Sequence, residues 1–243
     1  MSSLFCNFEK FSQAIGDQAD ISILQQLYNS FLEGLKPEEQ PIILAVGGGP
    51  GSGKTTWRRE QNSRNFHIHD MDEVMIRLPG YQKDLNELGA KAAFEKWWPI
   101  AQKLARAIVQ YAIANKYSII YDRTCGTEGS YQDLLSAKKL GYKIHLIGLY
   151  ASREVAKERL LDREKQEGRC VTGAILDEYR ARFSALWPYY LEFVDEATLY
   201  DTTEGSWHLI FSSKEGVQEA AKYQIFLENG ISFKDYFSKI ITS

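Results

Sequence analysis

Eight consecutive residues, Gly48-Gly49-Pro50-Gly51-Ser52-Gly53-Lys54-Thr55, carry the densest chemistry of this chain. They fit the phosphate-binding pattern G-x-x-x-x-G-K-[ST]. Glycines let the backbone curl so that several N–H groups point at one anion, and the N-terminus of a following helix adds partial positive charge. In this pattern Lys54 reaches the β- and γ-phosphates and the Thr55 hydroxyl holds Mg²⁺, with Thr56 next in the same turn. The chemistry implied is binding of a nucleoside triphosphate, ATP with Mg²⁺. A glycine-rich turn without a ligand is the plain alternative. The apolar run Ile42-Ile43-Leu44-Ala45-Val46 just before it and a plausible helix just after it argue for the phosphate loop.

Phosphoryl transfer also needs a group that accepts the proton of an attacking hydroxyl, and charges that steady the moving phosphoryl. Asp70 and Asp72 end a second apolar run, and would face the phosphates if that strand neighbours the loop strand. Asp72 is the candidate base. Asp70 either holds the metal through water or caps the next helix. Asp122 ends a third run, Ser118-Ile119-Ile120-Tyr121, and is a second candidate for metal or substrate, with Arg123 and Thr124 following at the binding edge. Arg163 and Arg169 stand where a helical pattern stops, as lid arginines able to offer paired N–H groups to a phosphate. Arg153 and Arg159 read instead as a solvated helix face, paired with Glu154, Glu158, Asp162 and Glu164. His67 and His69 beside Asp70 have no companion cluster to complete a zinc set. Cys125 reads as a packed thiol. Trp97-Trp98 and Trp187-Pro188-Tyr189-Tyr190 read as core rather than base-stacking surfaces.

The elements that must position these groups alternate. Strands are expected at Ile42–Gly47, Phe66–Asp70, Ser118–Asp122, Ile144–Leu149, Thr198–Asp201 and Leu209–Ser212. Helices are expected near 54–64, 86–115 with an interruption at Pro99, 130–140, 152–167 and 173–187. Such alternation predicts a doubly wound α/β fold: a mostly parallel sheet of about five to six strands, helices on both faces, and the ligand at the carboxyl ends of the strands. Residues 1–40 form a helical extension, 41–212 the phosphate-loop core, and 213–243 a helical tail packed on the core. In that tail Ser232 and Asp235 fit a capping box, with Tyr236, Phe237 and Ile240 on its apolar face.

A chain of 243 residues can bury one sizeable core, and its net charge of −3 sets up no global attraction to nucleic acid or anionic membrane. The 3 cysteines are scattered, which fits a reducing cytoplasm. No apolar run approaches the roughly eighteen residues that span a bilayer, and no N-terminal signal peptide is apparent. Export by a signal elsewhere in the chain is left open.

The order of these pieces resembles the zeta-toxin family of P-loop kinases, over roughly residues 40–205. The resemblance rests on the glycine-rich loop, Asp70-Met71-Asp72, Pro79-Gly80-Tyr81, the strand ending Tyr121-Asp122-Arg123-Thr124, and the two lid arginines. It implies ATP-dependent phosphorylation of a nucleotide-sugar hydroxyl, with UDP-N-acetylglucosamine the substrate class, and a possible inhibitory antitoxin-like partner. It implies that Lys54 binds phosphate, Asp72 is the base, Asp122 and Thr124 touch substrate, and Arg163 and Arg169 hold the γ-phosphate. Four positions depart from the family pattern. Met75 replaces a basic residue, Leu78 replaces a histidine, and Asp122-Arg123-Thr124 replaces Glu-Gly-Thr. Arg77 is the available substitute for the missing basic residue, from a different helical direction. The centre is retained and the acceptor pocket altered. Two other readings compete: a 5′-hydroxyl polynucleotide or nucleoside kinase, and a non-catalytic NTP-binding module acting through a partner.

Overall fold

The computed structural model describes residues 21–167 and 173–241. Among them a seven-stranded sheet runs in the order β2-β3-β1-β4-β5-β6-β7. Its strands are β1 (Ile42–Gly47), β2 (Phe66–His69), β3 (Ser118–Asp122), β4 (Lys143–Tyr150), β5 (Glu196–Asp201), β6 (His208–Ser212) and β7 (Gly216–Val217). The first five are parallel, and β6 and β7 add antiparallel. The central strands are near-continuous Ile/Leu/Val/Ala runs, as strands covered on both faces must be.

Chain order reverses at β1. The chain leaves it for β2 and β3 on one side and reaches β4 on the other. A crevice opens at the carboxyl end of such a strand, where the flanking connections run apart. The glycine-rich loop occupies that point. The parallel register sets Val46 opposite Asp122 and Gly47 opposite Gly148, so the end of β3 lies directly beside the start of the loop.

The helices cover both faces. They are α1 (Ile21–Ser30), α2 (Lys54–Arg59), α3 (Met71–Ile76), α4 (Tyr81–Leu88), α5 (Ala90–Ala114), α6 (Glu128–Lys139), α7 (Arg153–Glu167), α8 (Gly173–Leu191), α9 (Ala220–Glu228) and α10 (Lys234–Ile241). One core gathers Ile43, Ala45, Tyr121, Leu134, Phe183 and Trp187; a second, around α3, α4 and α5, takes in Tyr28 from α1. Trp187 and Tyr190 are fully buried and Trp97 nearly so, so these rings are packing groups.

Four details differ from the sequence reading. The second strand does not neighbour the loop strand, because β3 intervenes. The helix break falls at Gly89, at φ 83°, while Pro99 sits inside an unbroken α5. A proline removes one helical hydrogen bond, and the buried side chains of Ile100, Ala101 and Leu104 hold the helix through it. A further strand, β7, is two residues long, too short to leave any periodic trace. Ser232 lies within a 3₁₀ turn (Ile231–Phe233) rather than in a capping box ahead of α10. The tail meets α8 closely: a Cβ at Gly230 would lie 2.4 Å from the Ala185 nitrogen. No helix among the described residues is long and apolar enough to cross a membrane.

Candidate active site

The loop leaves β1 and turns through Gly48, Gly51 and Gly53, all at positive φ (141°, 75° and 94°). Space demands glycine as much as conformation does. A Cβ at Gly48 would stand 2.3 Å from the Leu149 carbonyl oxygen, and one at Gly51 would stand 2.5 Å from that of Ala156. The Gly48 N–H donates to the Thr124 carbonyl at 3.0 Å, which ties the loop to the segment after β3. Lys54 folds back across the loop, and its Nζ donates to the carbonyls of Gly48 (2.8 Å) and Gly49 (2.9 Å). Thr55 and Thr56 lie in the first turn of α2 beside it. The Ser52 hydroxyl is buried within the curl and has no hydrogen-bond partner among the described residues. An orphaned buried hydroxyl inside a ring of glycines is what an anion-binding cradle leaves for its ligand.

Three carboxylates gather opposite the loop. Asp122 ends β3 with a side chain only 7% exposed. Arg58, one helical turn beyond Lys54, bridges two of the acids, at 2.7 Å from Asp70 Oδ2 and 3.4 Å from Asp122 Oδ2. The other oxygen of Asp70 caps α3, accepting from the Asp72 N–H at 2.9 Å. Both oxygens of Asp70 are thus engaged, and the capping alternative describes it. Asp72 stands in the first turn of α3, with Oδ2 3.6 Å from Arg163 Nη2. Although β2 is one strand removed from β1, Asp72 lies within the electrostatic reach of Lys54. Lost hydration lowers the ammonium pKa, while Asp122 and Asp72 work to raise it and Arg163 works to lower it. Groups from α2, α3, β3 and α7 therefore share one field.

Burial pushes the Asp122 carboxyl up to about 6; Lys54 opposes the shift, and the nearby acids Asp70 and Asp72 add to it. The native state thus holds this proton through the window from 3.8 to about 6, in which the unfolded chain releases it. Stability contributed by the group is present at low pH and is lost as pH rises through that window. The loss is on the order of 3 kcal/mol in the free protein. Asp122→Asn should flatten this part of a urea-denaturation pH profile; an identical slope in the two proteins would refute the assignment.

The arginines divide differently from their sequence reading. Arg163 meets Asp72, whereas Arg169 lies outside the described residues. Arg153 forms a bidentate pair with Asp177 of α8, at 2.7 and 2.8 Å, instead of a pair along its own helix. Arg159 is not a solvated face residue. It donates to the Gly51 carbonyl of the loop (3.2 Å) and to Thr202 beyond β5. Arg123 turns from the loop toward β2, donating to Met71 Sδ at 2.8 Å with His69 Nε2 at 3.4 Å. The replacement for the family's basic residue, Met75, is buried. Arg77 is no substitute for it: it pairs with Glu73 and lies over the Phe31 ring at 4.8 Å, on the outer side of α3. Burial raises the Cys125 thiol to about 12, which keeps it protonated and inert.

Two arginines at the site were passed over in the sequence. Arg58 was visible as the i+4 neighbour of Lys54. Arg180 donates to the Ala151 carbonyl, lies over Tyr150 at 5.0 Å and flanks Gly49. Its signal was a cation between Leu176 and Phe183 on an otherwise apolar helix face.

The sequence model of the Zeta toxin family matches residues 28–199, more than half of the chain. The protein belongs to the zeta-toxin family. That places it among P-loop kinase-type phosphotransferases that use ATP. Solved structures agree in fold. A chain of the PezAT chromosomal toxin–antitoxin system of Streptococcus pneumoniae superposes with TM-score 0.67 at 22% identity, covering 89% of this chain and 95% of that one. A chain from the AvrRxo1-ORF1:-ORF2 structure with ATP gives TM-score 0.65 at 17% identity, covering 85% and 70%. No curated protein sequence matches this zeta-toxin member.

Proposed function

We propose that this zeta-toxin protein transfers the γ-phosphoryl group of ATP to a hydroxyl of a small molecule, with a nucleotide sugar such as UDP-N-acetylglucosamine as the candidate acceptor. The observation that carries this reading is the position of Asp72, between the Arg163 guanidinium and the field of the loop lysine Lys54. Residues 48–56 form the cradle, which holds the triphosphate through backbone N–H groups after Pro50 and through Lys54. Asp72 holds the acceptor hydroxyl and takes its proton as the oxygen bonds to the γ-phosphorus. The bond from that phosphorus to the β,γ-bridging oxygen breaks, and ADP departs with the electron pair. Lys54, Arg163 and Arg169 offset the charge on the phosphoryl oxygens during transfer.

The donor set suits Mg²⁺. Thr55 supplies a hydroxyl in the first turn of α2, and Asp122 a carboxylate beside Lys54, of a hardness appropriate to that ion. Bound there, the ion would neutralise charge on the β- and γ-phosphate oxygens. Thr124 and Arg123 flank the acceptor side. Arg123 stands where a family glycine is replaced, so acceptor choice is where this member departs. An inhibitory protein partner and a reducing cytoplasmic setting complete the proposal.

The test is incubation with ATP-Mg²⁺ and a panel of nucleotide sugars, nucleosides and 5′-hydroxyl oligonucleotides, followed by mass spectrometry. A nucleotide sugar heavier by one phosphoryl group is the expected product. Phosphorylated oligonucleotide alone would move the protein to the polynucleotide-kinase class. Tight ATP binding with no product from any acceptor would leave a binding module.

A further inference from the structure

We propose that Arg159 is a positioning residue that fixes the rotation and height of α7 against the phosphate loop and so delivers Arg163 to the transferred phosphoryl group. The inference rests on the reading of Arg163 given above. Arg159 donates through Nη1 to the Gly51 carbonyl at 3.2 Å and to Thr202 Oγ1 at 3.1 Å, and through Nη2 to the Thr202 carbonyl at 2.6 Å. Thr202 is buried, and its hydroxyl in turn donates to the Ser52 carbonyl at 3.0 Å. One guanidinium therefore joins α7, two loop carbonyls and the end of β5 in a closed set of hydrogen bonds.

The same helix face touches the loop again three residues earlier, where the Ala156 backbone crowds Gly51 so closely that a Cβ there would lie 2.5 Å away. Residues 156, 159 and 163 stand at i, i+3 and i+7 and share one face. Arg163 projects from that face about one turn, roughly 6 Å, further along the axis. This part of α7 also packs through a small apolar cluster of Ala151, Ala156, Leu160 and Leu176. Apolar contact resists separation but is non-directional, whereas a planar fork on three acceptors resists sliding and rotation. A guanidinium displaced by about 1 Å at the reacting phosphoryl costs on the order of 100-fold in rate. The Arg159 bond to Gly51 ties the helix to the loop that holds the phosphates, and the Thr202 bond to Ser52 ties the end of β5 to the same loop.

The experiment is a double-mutant cycle between Arg159→Ala and Arg163→Ala. It reads ADP release from ATP-Mg²⁺, with UDP-N-acetylglucosamine and with water alone as acceptor, together with ATP affinity and thermal midpoint. Arg159→Ala should lower kcat by about 10- to 100-fold and change ATP affinity by less than about threefold. In the Arg163→Ala background the same change should cost less than about threefold, because the group it positions is gone. If Arg159→Ala does not fold, Thr202→Val decides, since it removes two of the bonds and leaves the arginine; a loss confined to kcat is expected. Wild-type kcat in the decisive variant, or a loss that adds in full to that of Arg163→Ala, overturns the inference. Wild-type kcat in Arg163→Ala itself would instead defeat the functional reading on which it rests.

Discussion

Asp72→Asn should lower kcat by about 10²- to 10⁴-fold while ATP affinity remains within about threefold of wild type. The substitution keeps size and hydrogen-bonding shape, so the amide still sits in the first turn of α3 near Arg163. What it loses is the capacity to take a proton. The capping of α3 belongs to Asp70, which accepts the residue-72 N–H, so the helix is not put at risk. Proton acceptance is needed only as the acceptor oxygen bonds to phosphorus, so the loss should fall on the transition state and leave the ground state intact. Steady-state turnover beside equilibrium ATP titration checks both halves. Full turnover in Asp72→Asn would remove Asp72 from the chemistry and leave the Asp72–Arg163 pair a structural contact.

Lys54→Ala should cut kcat/KM for ATP by at least about 10²- to 10³-fold, with kcat carrying much of the loss. Lys54 bonds two carbonyls of its own loop in the free protein. Those bonds hold the side chain across the loop. Burial in the loop takes water from the ammonium and lowers its pKa. Little solvent therefore has to reorganise when charge develops on the γ-phosphoryl oxygens, and that is when a fixed cation contributes most. Removal also leaves Arg58 alone to oppose the upward shift of Asp122, which Lys54 otherwise opposes more strongly. The measurement is kcat and KM for ATP, with circular dichroism to verify that the fold persists. Wild-type turnover would defeat the assignment of residues 48–55 as a phosphate loop.

Several features were legible before any coordinates because they depend on local chemistry. The curl of the loop needs backbone at positive φ and close approach to Leu149 and Ala156, and only glycine permits both. The strands announced themselves as short apolar runs because they are covered on both faces. The seventh strand and the unbroken α5 were hidden, since two residues have no period and a proline is tolerated where buried neighbours hold the helix.

Arg159 shows where local reading stops. Its sequence neighbours Glu154, Glu158, Asp162 and Glu164 describe an ordinary charged helix face. Its hydrogen-bond partners lie 43 and 108 positions away in the chain. Arg58 and Arg180 teach the same lesson, since an arginine reveals its use only when the acids and carbonyls it meets are known. Arg77 gives the converse: near the expected position in sequence, it faces the wrong side of α3.

By itself the amino-acid sequence determined that this protein builds a mostly parallel α/β core around a glycine-rich loop, and which residues form that loop. Composition, periodicity and glycine placement act over a few residues and are written in the chain. Tertiary structure alone decided which charges meet. Strand order placed β3 between β1 and β2, set Asp122 against the loop, and left Asp72 to arrive from one strand further out. Hydrogen bonds fall off within a few ångströms and screened Coulombic attraction within about 10 Å, and the distances that govern them are created only when the chain closes on itself.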